Sequence, residues 1–186
     1  MKRLFDLFLC IPLIILLALP IFAVATIIKF TSKGPILHWS KRSGKDGLFF
    51  EMPKFRSMLE NTPVLATHLI SNPDEYLFPF GSFLRRFSID EFPQLLSILL
   101  GQMSFVGPRP ALFNQTDLIE LRKKNGIQSL VPGLTGWAQV NGRDNLTIKQ
   151  KVELEVEYLN SKSFWLDFKI LWLTFIKVTR GEGVSH

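Results

Sequence analysis

Residues 85–110 carry the sequence RRFSIDEFPQLLSILLGQMSFVGPRP. This stretch places two adjacent carboxylates, Asp90 and Glu91, a few residues after Arg85, and it ends with Arg109 between two prolines. Carboxylates bind divalent cations or attack electrophiles, and arginine guanidinium groups pair with phosphate oxygens through two parallel hydrogen bonds. The combination indicates chemistry at a phosphoryl group. An alternative stays open here, because a helix-capping Asp90 beside two surface arginines is compatible with the same sequence.

The leucine-rich centre of this stretch predicts a helix that is buried or faces a membrane. With Asp90 as its N-cap, Pro93 falls in the first turn, where backbone N–H groups lack intrahelical partners in any case. Both carboxylates would then stand at the positive end of the helix dipole, which stabilises anions. The apolar residues at helical spacing are Phe92, Leu95, Leu96, Leu99, Leu100 and Met103.

The whole chain has the composition of one basic and unusually apolar domain. It contains 186 residues, of which 47% are hydrophobic, and its formal net charge is +6. The length suffices for one sizeable core but not for two large domains, and the charge predicts an anionic partner. Cys10 is the only cysteine and the three histidines have no metal-ligand spacing, which favours a reducing, cytoplasm-facing domain.

Residues 7–28 form an uncharged run of 22 residues, which as a straight helix would extend about 33 Å and cross a bilayer core. A secretory signal peptide is disfavoured, because the run is long for such a segment and no disulfide framework follows. A spanning helix and a re-entrant hairpin both stay open. Lys2 and Arg3 precede the run and Lys29 follows it, and positive residues prefer the cytoplasmic side, so the charges favour a hairpin broken at Pro20.

The remaining elements are predicted from turn residues and periodicity. Residues 36–39 and 48–52, separated by a polar turn, predict a β-hairpin. Residues 114–124 predict a polar helix that ends at Asn125-Gly126, and residues 147–160 predict a charged amphipathic helix. Residues 164–178 predict a more apolar helix, which would lie in the membrane interface or in the core of the domain.

A glycine-rich segment covers residues 132–143. Its glycines allow a tight bend and a close backbone approach to a ligand, and the other interpretation is a structural loop that places Trp137 in the core. Residues 61–80 are polar and turn-rich, and we expect a surface excursion without chemistry there.

Six blocks of the sequence, taken in order, carry a resemblance to a known family. They are residues 2–6, 54–58, 84–95, 103–110 and 132–143, and a last group formed by Lys151, Tyr158 and residues 167–170. In this order and at this spacing they resemble the bacterial sugar transferase family, the small monotopic phosphoglycosyl transferases. The resemblance runs nearly from end to end of the chain.

The resemblance implies a specific reaction. A phospho-sugar would pass from a nucleotide diphosphate sugar, usually a UDP-sugar, to polyprenyl (undecaprenyl) phosphate, and UMP would leave. This step begins the synthesis of a surface glycan such as an O-antigen, capsule, exopolysaccharide or glycoprotein glycan.

The resemblance also implies roles for residues. Asp90 would be the nucleophile and form a covalent phosphosugar intermediate, and Glu91, with or without Asp90, would hold the Mg²⁺ that the family requires. Because a diphosphate must be neutralised before a carboxylate can approach it, Arg85 and Arg109 would contact its oxygens. The further phosphate-binding candidates are Lys54 and Arg143.

The implied architecture is an α+β, predominantly helical fold in two parts. Residues 1–33 would form a re-entrant membrane helix-hairpin with its break at Pro20. Residues 34–186 would form a compact cytoplasmic catalytic domain with a short β-hairpin and interfacial helices. The protein would be monotopic in the bacterial inner membrane and face the cytoplasm. Its partners would be the membrane, both substrates and downstream glycosyltransferases, with a homodimer left open.

Three positions depart from the family pattern. Leu19-Pro20 replaces the frequent Ser-Pro, Gln102 replaces an aspartate, and Glu155 replaces an aspartate with a longer acid. None of these changes touches Asp90 or Glu91.

Two rival classes are disfavoured. A non-enzymatic membrane-anchored adaptor would not need the intact pair of carboxylates, and a nucleic-acid-binding module would leave the membrane segment unexplained and lacks aromatic-basic motifs. The sequence does not identify the sugar.

Overall fold

A 30-residue apolar helix, α1 (Lys2–Thr31), begins the structure, a computed structural model that describes residues 2–59, 62, 73–142 and 145–180. The helix continues through Pro12 and Pro20, so there is one helix where the sequence predicted two helices joined at a break. A proline inside a helix removes one backbone hydrogen bond and introduces a bend, and neighbouring groups can compensate for both.

By length and composition α1 could cross a membrane, a property that signal sequences and buried core helices share. Unlike a core helix, α1 exposes most of its apolar side chains, which gives weak support for membrane association. The large exposed side chains are Leu4, Phe8, Ile11, Ile15, Leu16, Leu19, Phe22, Ile27 and Phe30.

Polar contacts attach the N-terminal end of α1 to the rest of the chain. The Lys2 Nζ atom lies 2.5 Å from Asp167 Oδ2, and Tyr158 donates to the other oxygen of Asp167 at 2.6 Å. Asp6 is buried and accepts a hydrogen bond from Ser104 Oγ at 3.0 Å. Because Asp6 and Asp167 are buried, these contacts fix the rotation of the helix as well as its position.

The C-terminal end of α1 is attached to the same domain. Ile28 is fully buried and belongs to an apolar cluster with Phe55 and Leu84. The Arg56 guanidinium donates to the Ser32 carbonyl just past the helix at 3.1 Å, which satisfies one of the acceptors left open at a helix end. Both ends of α1 therefore contact one and the same domain.

The predicted β-hairpin is confirmed and is longer than expected. Strand β1 (Leu37–Ser43) pairs with β2 (Phe49–Phe55) in antiparallel register, with His38 opposite Lys54 and Arg42 opposite Phe50. Since side chains alternate along a strand, His38 and Arg42 share one face of the hairpin with Lys54.

The other helices and strands are short except at the C-terminal end. They are α2 (Gly81–Arg86), α3 (Gln94–Leu99), β3 (Ser104–Val106), α4 (Thr116–Lys124), β4 (Gly133–Thr135), α5 (Trp137–Val140), α6 (Ile148–Ser161) and α7 (Phe164–Arg180). Single 3₁₀ turns cover Lys45–Gly47, Pro73–Tyr76, Ile89–Glu91 and Ile127–Ser129. The helices predicted over residues 114–124, 147–160 and 164–178 are thus confirmed, and the whole is the expected, mostly helical α+β fold.

The prediction that a helix begins at Asp90 is wrong. Asp90 lies in the 3₁₀ turn Ile89–Glu91, and α3 begins only at Gln94, after Pro93. The helix ends at Leu99 rather than near Met103, because Gly101 adopts a left-handed conformation (φ 83°) that terminates helices.

A second, parallel sheet of two strands was not predicted. Ser104 of β3 pairs with Gly133 of β4. A Cβ atom on Gly133 would lie 2.1 Å from the backbone nitrogen of Gly107, and one on Gly136 would lie 2.1 Å from its carbonyl oxygen. These glycines therefore permit two backbone segments to pack closely, and half-buried Trp137 packs against the core. Both observations agree with the structural interpretation of this loop, and a contact between its backbone and a ligand stays a prediction.

Helix α7 is shared between the core and the surface. Asp167 and Ile170 are buried, whereas the opposite face is aromatic and exposed. The exposed aromatic side chains are Phe164, Trp165, Phe168, Trp172 and Phe175. The sequence left open whether this helix lies in the core or in the membrane interface. In the structure one face packs in the core, and the opposite face is exposed and can enter an interface.

A buried ion pair between α4 and α6 leads to a stability prediction. Arg122 donates to both oxygens of Glu155, at 2.8 and 2.5 Å. Glu155→Gln leaves the buried guanidinium without a compensating charge, and we expect a loss of about 3 kcal/mol in the free energy of unfolding. Denaturant unfolding of the detergent-solubilised protein measures this loss. Glu153→Gln, an exposed carboxylate on the same helix, should change it by less than about 0.5 kcal/mol; equal effects would refute the prediction.

Candidate active site

The two adjacent carboxylates occupy a tight turn between α2 and α3. Ser88 adopts a left-handed conformation (φ 54°), and the backbone N–H of Glu91 donates to the Ser88 carbonyl at 3.1 Å. The side chains of Asp90 and Glu91 are largely buried, with the residues 7% and 9% exposed. A buried pair of carboxylates is costly unless cations lie nearby.

Lys54 of β2 supplies the first of these cations. Its Nζ atom lies 3.0 Å from Glu91 Oε1 and 3.8 Å from Asp90 Oδ2. Burial lowers the pKa of Lys54, and the charges of Glu91 and Asp90 oppose that shift. The hairpin thus delivers one ammonium group between two carboxylates that are adjacent in sequence.

Arg109 supplies the second cation. Its guanidinium lies 2.5 Å from Glu91 Oε1, and its side chain keeps 32% of its surface exposed. An arginine that is held by a carboxylate and also open to solvent can exchange that partner for the oxygens of an incoming phosphate.

The environment of Asp90 differs from that of its neighbour. Burial raises the pKa of Asp90, Lys54 opposes this shift, Glu91 adds to it, and Arg85 and Arg109 oppose it. The three cations therefore counteract the desolvation of this carboxylate. An ionised Asp90 with reduced hydration is a better nucleophile than a fully solvated carboxylate.

Arg85 lies on the α2 side of the cluster. Its NH1 atom is 3.2 Å from the sulfur of Met58, and its charge acts on Asp90. The structure therefore brings together five of the residues singled out from the sequence, which are Lys54, Arg85, Asp90, Glu91 and Arg109. Arg143 lies outside the described residues, and Pro20 lies inside α1, not in this cluster.

Arg42 of β1 is part of the site and was not singled out from the sequence. Burial and, to a smaller extent, the charge of Arg109 lower the pKa of Arg42 to about 10, and Glu91 opposes the shift, so the guanidinium lies within electrostatic reach of both. His38 and Arg42 share the hairpin face of Lys54. Sequence reasoning could not align these residues, because Arg42 and Lys54 lie beyond the strands that it predicted and inside those that the structure has.

The donor set of the site fits a magnesium ion that is completed by substrate. The described residues contain no group of three or more His, Cys, Asp or Glu side chains suited to a metal, and in this site they offer the two carboxylates Asp90 and Glu91. Mg²⁺ is usually bound in this way, by one or two carboxylates together with water and substrate phosphates. Such an ion would share Glu91 with Lys54 and Arg109.

The family model described as bacterial sugar transferase matches residues 1–181 of the chain. Two relatives of similar length are the uncharacterized sugar transferase EpsL of Bacillus subtilis, 39% identical over all of this chain and 91% of its own, and the exopolysaccharide production protein ExoY of Sinorhizobium fredii, 34% identical over 98% of this chain and 87% of its own.

A longer relative has a name that states a reaction. The UDP-glucose:undecaprenyl-phosphate glucose-1-phosphate transferase of Escherichia coli is 38% identical over 95% of this chain. The chain spans only 40% of the length of that protein.

Proposed function

The chain belongs to the bacterial sugar transferase family, and from this premise we propose that it transfers a phospho-sugar from a UDP-sugar to undecaprenyl phosphate with release of UMP. One observation carries the proposal: a buried pair of carboxylates, Asp90 and Glu91, in contact with Lys54 and near Arg109 and Arg85. This cluster provides a nucleophile and the positive charge that a diphosphate requires. The product would begin the synthesis of a surface glycan.

In the first step the Asp90 carboxylate attacks the phosphorus atom that bears the sugar. A new bond forms between the carboxylate oxygen and phosphorus, and the bond from phosphorus to the bridging oxygen breaks. UMP leaves with that electron pair, and an aspartyl-phosphosugar remains. No proton has to move in this step, because the carboxylate attacks in its ionised form and UMP leaves as an anion.

Three cations reduce the electrostatic repulsion between the two reactants during this step: Arg109, Arg85 and Lys54. The donor diphosphate brings negative charge towards an ionised carboxylate, and each cation lowers that repulsion. Lys54 lies between the two carboxylates and favours the ionised form of Asp90, while the half-exposed Arg109 is placed to pair with phosphate oxygens. Mg²⁺ held by Glu91 and Asp90 would add Lewis-acid stabilisation of the phosphate oxygens.

In the second step an oxygen of undecaprenyl phosphate attacks the same phosphorus atom. The bond to the Asp90 oxygen breaks, the carboxylate is restored, and the product is a lipid-linked diphosphate sugar. Since the acceptor is held in lipid, the site must lie close to the membrane surface, and the exposed apolar faces of α1 and α7 support such a location.

The contacts of α1 support a re-entrant placement over a spanning one. A straight helix of 30 residues extends about 45 Å, and a spanning helix would put its ends on opposite sides of the bilayer. Here Lys2 contacts Asp167 and the C-terminal end contacts Arg56 and Leu84, all of one domain. We therefore propose a monotopic protein on the cytoplasmic face of the bacterial inner membrane.

Cysteine labelling tests this topology. In a Cys10→Ala background, Leu4→Cys and Lys45→Cys place thiols at exposed positions, the first in the N-terminal turn of α1 and the second beyond its C-terminal end. Both should react with a membrane-impermeant maleimide in inverted vesicles and neither in intact cells. Labelling of the two thiols from opposite sides would establish a spanning helix instead.

The activity itself is tested with purified protein in nanodiscs, Mg²⁺, undecaprenyl phosphate and a panel of UDP-sugars. We expect continuous UMP release with at least one sugar, and a burst of no more than one UMP per protein when the acceptor is omitted. Absence of release with every sugar would overturn the proposed function. Turnover without a burst would overturn the covalent intermediate alone.

A further inference from the structure

The loop that carries Arg109 has an unusual constraint. Pro108 and Pro110 flank the arginine and have no backbone N–H to donate, so their backbone polar groups can be held only through carbonyl oxygens. The Pro108 carbonyl accepts from the backbone N–H of Gly133 at 2.9 Å. The Pro110 carbonyl accepts from Arg42 NH1 at 3.2 Å. The second donor, Arg42, is thus a side chain that reaches the loop from β1.

Arg42 is itself fixed in place. Its Nε atom donates to Ser40 Oγ at 3.0 Å, and Ser40 is buried. The backbone around it is paired as well, because the Ser43 N–H donates to the Ala111 carbonyl at 2.9 Å. A guanidinium can satisfy two acceptors in different directions at once, whereas a lysine ammonium has neither the planar geometry nor the same reach.

The charge of Arg42, like its hydrogen bonds, favours the observed position of Arg109. Arg42 and Arg109 lie close enough to repel each other, and Glu91 attracts both. Any retreat of the Arg109 guanidinium towards β1 would bring two positive charges together in a site of low dielectric constant. The orientation on Glu91, with part of the guanidinium exposed, is therefore the favoured one.

We propose that Arg42 is a positioning residue for the transfer reaction: it holds the loop that carries Arg109 and keeps that guanidinium directed at Glu91 and the donor diphosphate. Its hydrogen bonds go to Ser40 and to the Pro110 carbonyl, so it acts through Arg109 rather than on the substrate. This inference rests on the proposed function for the identity of the sugar donor, whereas the contacts of Arg42 with the loop do not depend on it.

A double-mutant cycle tests the coupling. Arg42→Met should lower kcat/KM for UMP release by about 10-fold to 100-fold, the cost of a small misplacement of a catalytic group. In an Arg109→Met background the same change should cost less than about twofold, because the residue through which Arg42 acts is gone. Arg42→Lys should recover part of the loss. Losses that multiply in the double variant, or an unaffected Arg42→Met, would overturn the proposal.

Two further measurements distinguish the loss of the positioning role from a folding defect or an inactive preparation. Lys41→Met, which removes an exposed charge from the neighbouring position of β1, should leave activity unchanged. Reaction of Arg109 with phenylglyoxal, mapped by peptide mass spectrometry at low extents of modification, should become severalfold faster in Arg42→Met and Arg42→Lys but not in Lys41→Met.

The labelling decides the positioning role even if the wild-type protein releases no UMP, a result that would overturn the proposed function separately. Unchanged labelling of Arg109 in both Arg42 variants would overturn the positioning role.

Discussion

Asp90→Asn should lower UMP release by at least about 10³-fold, because the amide has almost the size of the carboxylate but can neither carry the charge nor attack phosphorus. The covalent adduct offers the more direct measurement. Wild-type protein incubated with UDP-sugar in the absence of acceptor should gain the mass of one phosphosugar, mapped to the peptide that contains Asp90. Asp90→Asn should gain none.

Stability measurements separate this loss of activity from misfolding. Since burial raises the pKa of Asp90, its ionised form opposes folding, and a neutral amide does not. In metal-free buffer we therefore expect the unfolding midpoint of Asp90→Asn to equal or exceed that of the wild type.

Asp117→Asn is the matched control, because it changes an exposed aspartate of α4 and should retain full activity. An Asp90→Asn protein that still released UMP at the wild-type rate would eliminate Asp90 as the nucleophile.

Arg109→Met should lower kcat/KM for the donor by about 10²-fold to 10³-fold, the usual cost of removing one donor from a site that stabilises developing negative charge. Arg109→Lys should recover only part of this activity, since an ammonium keeps the charge but not the paired hydrogen bonds. Initial rates over a range of donor concentrations separate a weakened affinity from a slower reaction.

Arg86→Met is the control for the arginine. Arg86 is exposed at the end of α2 and lies over the ring of Phe87, and its loss should change the rate by less than about twofold. If Arg109→Met and Arg86→Met had equal effects, the interpretation of Arg109 as a diphosphate contact would be wrong.

Local patterns were sufficient for several elements of the fold. Thr147 and Gln150 form a capping box at the start of α6, and Gly126 takes the left-handed conformation (φ 72°) just past α4, so both helix boundaries are encoded by neighbouring residues. The β-hairpin is likewise encoded by two apolar runs around a polar turn. Such elements depend on interactions over a few residues, which a sequence displays directly.

Elements that depend on distant contacts were predicted less well. Strands β3 and β4 are three residues each and exist because Gly107 and Gly133 allow two backbones to pack closely. The partner of each strand lies far away in sequence, and a local pattern carries no information about it.

The sequence by itself determined that residues 85–110 carry two adjacent carboxylates and three arginines, because residue type and spacing limit the chemistry that a segment can perform. Only the tertiary structure placed Lys54 between the two carboxylates and Arg42 beneath the loop of Arg109. Both residues reach the site from the hairpin, because strand pairing aligns them with a turn that is more than thirty residues away. Charge acts through space rather than along the chain, so the electrostatics of Asp90 became defined only when the chain folded.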